Sequence, residues 1–281
     1  KITYLENGTR LINDEQGINT TRTQGHRFGM RLEHEFSDNT SIIFEPQVNF
    51  GAGSFNQYSD FQTYTEKGEV RDSTNRGYNS NLGDNNNWSA SGFLVFRHRL
   101  GKPGRTISAN VRFSFSDNEL LGYNQSLTQV KDATTSVWSD EIINQRFDQN
   151  SKSSSLNGRF VYTEPLTEVL FLEVNYQYGW NRNITGKKTF NSGSDLIADG
   201  MLIFNPVGEY EDTRYTNNIL NRSITQRGGL TFSYQKEKIR AQIGASANPT
   251  DTYNETTGHD TYRSKVVNWS PQAMFNYEFS D

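Results

Sequence analysis

The side chains of this chain best placed to do chemistry are a set of charges: Arg27, Arg31, Glu33, Glu35, Glu45, Arg112, Arg159, Glu173, Arg227 and Arg240. Arg27, Arg31, Glu33 and Glu35 are separated by twos and fours, which puts them on one face of an extended segment. Such a face does one of two things. It builds ion pairs, or it forms a ladder along which a charged solute moves. Both signs are interleaved within single segments here, and that favours a structural ion-pair network over a substrate ladder. On the inner wall of a barrel these charges would pair with one another or with a plug.

The bond-making inventory is thin. His26, His34, His98 and His259 are dispersed, and His34 and His98 fall among apolar positions, a poor metal constellation. There is no cysteine, no G-x-S-x-G and no phosphate-binding loop. The acidic and amide residues around Asp84 lack the alternating spacing and terminal Glu of an EF-hand loop. The expectation is therefore no enzyme, no catalytic or metal-binding residue and no cofactor. A net charge of -4 gives no electrostatic case for nucleic acid. The absence of cysteine rules out a disulfide scaffold.

These charges sit on strands. From His26, residues Phe28, Met30, Leu32, His34 and Phe36 alternate with Arg27, Gly29, Arg31, Glu33 and Glu35, the period of a β-strand. Ser37-Asp38-Asn39-Thr40 turns the chain, and Ile42, Phe44, Val48 and Phe50 resume the apolar set, making a hairpin. A second hairpin joins Trp88–Leu100 to Ile107–Phe115 through Gly101–Arg105. A third joins 154–162 to Leu170–Trp180, and a fourth joins Ile224–Tyr234 to Ile239–Ala247 across Gln235–Lys238. A last strand carries Val267, Trp269, Ala273, Phe275, Tyr277 and Phe279 and stops at Ser280-Asp281. The total is about nine strands, all antiparallel neighbours.

A mean hydropathy of -0.80 argues only weakly against a membrane. A barrel strand needs apolar residues on its outward face alone, because a wet or plugged interior makes the other half polar. No run approaches the roughly 18 apolar residues of a membrane helix, so any crossing must use closed strands that satisfy their own backbone hydrogen bonds. Trp88, Tyr178, Trp180, Trp269 and Tyr277 lie near strand ends, where amphipathic rings form the girdles of a barrel at the membrane interface. With short turns on the periplasmic side, the stretches 57–86, 117–150, 184–221 and 249–263 are expected to be mobile extracellular loops. The fold class is thus an all-β, antiparallel, up-and-down transmembrane β-barrel. It is expected to be incomplete, because bacterial single-chain barrels normally have even strand numbers. Residues 1–281 are expected to form one partial barrel domain lacking a plug and further strands, in the bacterial outer membrane, with outer-membrane lipid as partner.

Gly25–Asn39 and Trp269–Asp281, with Glu278-Phe279-Ser280-Asp281 repeating Glu35-Phe36-Ser37-Asp38, resemble the TonB-dependent receptor-like outer-membrane barrels abundant in Bacteroidetes. The resemblance covers nearly the whole chain in hairpin phrasing and turn wording, not in an invariant motif. It implies a plug inside the barrel, more strands on either side, TonB as a partner through that plug, and surface lipoproteins as further partners. Two functions follow from it: the wall of an energised nutrient transporter, or a plugged barrel whose loops scaffold other proteins. A soluble β-sandwich or propeller is the third reading, and it would require a protein-covered apolar face.

Overall fold

The computed structural model describes residues 1–5 and 8–279, so Ser280 and Asp281, the expected end of the last strand, lie outside the described residues. Its strands are β1 (Ile2–Tyr4), β2 (Arg10–Gly29), β3 (Leu32–Ser37), β4 (Thr40–Lys67), β5 (Val70–Arg99), β6 (Thr106–Lys131), β7 (Trp138–Pro165), β8 (Leu170–Asn191), β9 (Asp195–Ala198), β10 (Met201–Phe204), β11 (Tyr210–Glu211), β12 (Asn217–Lys236), β13 (Ile239–Thr256) and β14 (Tyr262–Tyr277). All but β9 and β10 belong to one sheet, ordered β1, β2, β4, β5, β6, β7, β8, β12, β13, β14, with β3 beside β4 and β11 beside β8. Every pairing is antiparallel. There is no helix among the described residues.

β2 and β3 are one strand interrupted at Met30-Arg31, since Gly29 opposite Gln47 and Leu32 opposite Phe44 keep the same register on β4. Counted that way, nine long strands cross the sheet, as the alternation predicts. Among the described residues the sheet does not close: β1 with β2 forms one edge and β14 the other. The four short turns all fall at one end of it, at 38–39, 100–105, 166–169 and 237–238. The turn 100–105 reverses through glycine at Gly104, whose φ of 84° lies in the left-handed region.

The long loops expected from sequence are corrected by the structure. β4 and β5 run through 57–86 to a turn at Gly68-Glu69, β6 and β7 run through to 132–137, and β13 and β14 close at 257–261. Apolar periodicity is silent in these Asn/Ser-rich stretches, but backbone pairing needs none. Asn79, for example, lies between Ser59 and Ser126, with neighbours on both sides to satisfy its ladder. The connection 192–216 leaves the sheet to carry the β9–β10 hairpin and returns to it at β11, which pairs with the end of β8.

The strands are also staggered. A line drawn across the ladder from Thr40, the first residue of β4, passes through His98, Ile107, Tyr162, Val174 and Leu230 to Ala245, six residues inside the start of β13. A drift of constant direction of this kind is the shear that accompanies tilted barrel strands. A core is nearly absent. Among the described residues the buried apolar side chains are Ile43, Tyr78, Phe147 and Leu202, and the accessible surface is 18841 Å². A compact monomer of 32.1 kDa would expose about 12,000 Å².

Candidate functional site

A contiguous part of the exposed apolar surface sits on one face. Residues directly opposite in neighbouring strands share a face, so the register defines rows running across the sheet. One such row is Ile42, Phe96, Ala109, Phe160, Tyr176, Gly228, Ala247 and Trp269. The rows beside it add Leu94, Val111, Leu230, Phe232 and Ile243. The exposure of these side chains is large: Phe28 is 63%, Ile243 65%, Phe275 71% and Trp269 75% accessible. Along the strands the apolar set occupies Ile42–Phe50, Ile107–Phe115, Leu170–Trp180, Ile224–Tyr234 and Val267–Tyr277, all next to the short turns. Each run is nine to eleven residues, the length a tilted strand needs to cross a bilayer.

The aromatics expected at an interface all lie on this face. Trp88 and Trp180 stand at the band's border far from the short turns, and Tyr277 stands at the near border. Tyr178 is one outward position inside Trp180, whereas Trp269 lies within the band, two outward positions from Lys265.

The expected charges share the opposite face, but they form small clusters. Arg31 is hydrogen-bonded to Glu45 directly across the ladder and to Glu33 at 3.1 Å on its own strand. Arg159 approaches Glu173 at 3.9 Å. Arg27 donates to the Asn49 Oδ1 at 3.1 Å, and Arg112 lies over the Phe93 ring at 5.2 Å. Among the described residues Arg27, Arg112, Arg227 and Arg240 make no ion pair. Between the clusters the face is uncharged: Gln47, Ser91, Ser114, Ser155, Asn181, Ser223, Thr252 and Ser264 form one row. No group of three or more His, Asp or Glu able to hold a metal ion occurs among the described residues.

Two features escaped the sequence reading, the first because it lies in segments taken for loops and the second because Arg182 and Arg222 fall in the short gaps between those segments and the strands as read. The first is the docking of 192–216 on β5, β6 and β7. The Leu202 N–H donates to the Tyr78 hydroxyl at 2.6 Å, the Gln125 amide donates to the Leu202 carbonyl at 3.0 Å, and Asn144 donates to the Ile203 carbonyl at 3.0 Å. The segment is held further by Arg146 with Glu209 at 2.8 Å. Asp212 anchors its end, nearly inaccessible, with Arg214 donating to both carboxylate oxygens and Asn191 to one. Those donors hold the Asp212 carboxyl well below the usual carboxylate range, Arg214 contributing most.

The second feature is a charged border beyond the apolar band, on the band's own face. Arg182 lies directly opposite Arg222, with Lys152, Asp251, Arg263 and Lys265 nearby. Carrying the alternation on from Trp180 by two residues would have found Arg182.

No family model matches this chain, and no curated protein matches it. Among solved structures, one match is the outer membrane protease OmpT from Escherichia coli, at 9% identity, covering 99% of each chain with a TM-score of 0.26. A likeness at that score assigns neither activity nor residues to this chain. It does correct one expectation: the thin catalytic inventory was read as excluding an enzyme, the matched structure is that of a protease, and the exclusion is withdrawn.

Proposed function

We propose that this chain forms wall of an outer-membrane β-barrel, with the apolar band against lipid and the polar face turned to the interior. The observation that carries the reading is the band itself. It is one strand-crossing tall, continuous from Phe28 to Phe275, and exposed in a chain with almost no core. Left in water, a patch of this size would far exceed what soluble monomers expose. The test is to insert the protein into vesicles whose acyl chains carry bromine. Quenching of Trp88, Trp180 and Trp269 fluorescence supports a lipid contact, and unchanged emission in a detergent-free soluble protein overturns it.

The finer reading is a barrel of the TonB-dependent receptor kind that takes up a nutrient, the polar face being the wall the nutrient passes. It rests on the sequence resemblance. The paired strand extensions beyond the band favour a second reading, in which they hold partner proteins such as surface lipoproteins. Intact mass and peptide mapping of the native protein extracted in detergent separate the two. Peptides from an N-terminal plug with a TonB box support uptake; co-purified lipoprotein without that box supports the scaffold.

A further inference from the structure

We propose that Arg182 and Arg222 bind the phosphate groups of an anionic lipid at the far border of the apolar band, an inference that rests on the membrane reading above. Directly opposed like charges destabilise a strand pair, so this pairing needs an anion. Within the protein the nearby carboxylates are engaged. Asp251 accepts from Arg263 at 2.8 Å and lies 3.8 Å from Lys265, Asp117 pairs with Lys152 at 3.0 Å, and Glu255 accepts from the Tyr253 hydroxyl at 2.9 Å. Arg222 reaches the Tyr253 ring at 5.2 Å, and Asp251 feels its charge, but neither Arg222 nor Arg182 makes an ion pair among the described residues. Both side chains are exposed.

Their height fits a headgroup. Arg182 is twelve residues from the start of β8 and Arg222 fourteen from the end of β12. At about 3.3 Å per residue and a tilt near 45°, both stand roughly 30 Å from the short turns, just past an apolar band about 25 Å tall. Directly on the band side lies the pair Trp180 and Ile224, an apolar contact for the acyl chains of the same lipid. Two planar guanidinium groups side by side match the oxygens of a phosphate in bidentate fashion. Free phosphate has the same headgroup chemistry but no use for Trp180 and Ile224, which is why the lipid is the occupant.

The test uses the whole chain in vesicles with brominated acyl chains, as wild type, as R182Q/R222Q, and as R159Q/R227Q on the opposite face. Tryptophan quenching is read first, and then retention of added lipid A through purification by native mass spectrometry. Wild type and R159Q/R227Q should retain bisphosphorylated lipid A about tenfold better than R182Q/R222Q. None should hold the dephosphorylated lipid as well, and millimolar inorganic phosphate should not displace the lipid. Quenching with equal retention in all three proteins overturns the inference alone. Displacement by inorganic phosphate assigns the pair to free phosphate and overturns the lipid. Loss of quenching in the wild type removes the membrane reading and the inference with it.

Discussion

The two halves of a single strand differ more than any two strands of this sheet. In β6, Ile107, Ala109, Val111, Phe113 and Phe115 face outward near the short turn, while Asp117, Glu119, Leu121, Tyr123 and Gln125 continue the same face beyond it. The backbone ladder to β5 and β7 runs unbroken through both halves. The comparison separates two causes that sequence reading tends to merge. Hydrogen-bonded neighbours on both sides make the strand, and the side chains only choose its surroundings. Apolar alternation marks where the exposed band begins and ends, not where the strand does.

The sharpest way to break that comparison is a charge placed in the band. Val111→Arg, at the centre of its outward run, should lower stability by about 2 to 4 kcal/mol near the bilayer midplane, measured by reversible denaturant unfolding in vesicles. Asn175→Arg, on the opposite face and with uncharged Val161 and Gly229 beside it, should be close to neutral. Equal damage on both faces would sink the assignment of one face to lipid.

The far half should respond to a different kind of change. Tyr78 is buried and accepts the Leu202 N–H, so Tyr78→Phe leaves a buried donor without its partner. That costs about 1 to 3 kcal/mol, localised to the docking of 192–216. Hydrogen exchange at Met201–Phe204 should rise while tryptophan quenching in the band stays as it was. If exchange in the band rose equally, the two halves would be one cooperative unit.

This division explains what was legible in the sequence. The short turns, the nine long strands and the faces of the site residues followed from alternation, because the one-sided apolar band writes a strict period-two pattern into residues such as Ile107 to Phe115. The strand extensions did not, since Asn79 to Asn87 have no apolar face to report and their pairing depends on neighbours remote in sequence. Arg182 and Arg222 fell between the strands as read and the stretch 184–221 taken for a loop. The inner charges were found as a set, but their pairing was not legible. Which arginine meets which carboxylate depends on register and on side-chain reach: Arg31 has Glu45 directly opposite, and Arg159 has Gln177.

A pH titration tests the anchor of the far half. The Asp212 carboxyl titrates below its ordinary 3.8 in the folded protein, so it favours the docked segment above about pH 4 and loses that contribution as pH falls toward the folded value. Proteolysis within 192–216 should therefore increase on acidification below pH 4, with the band unaffected. Asp212→Asn should show the increased cleavage at neutral pH and a flatter dependence. A cleavage rate that climbs on going alkaline would contradict the sign.

The smallest effect belongs to the inner-face ion pair. Arg159 and Glu173 are 3.9 Å apart, with side chains 53% and 35% accessible. A pair of that length and exposure contributes about 0 to 1 kcal/mol and is screened by salt. Arg159→Gln should thus change unfolding midpoints little, and less still at high ionic strength. A loss comparable to that of Val111→Arg would mean that Arg159 and Glu173 are shielded from water in the assembled barrel, as a tightly packed plug would make them. Denaturant unfolding of the variant at low and high salt distinguishes a wet inner face from a covered one.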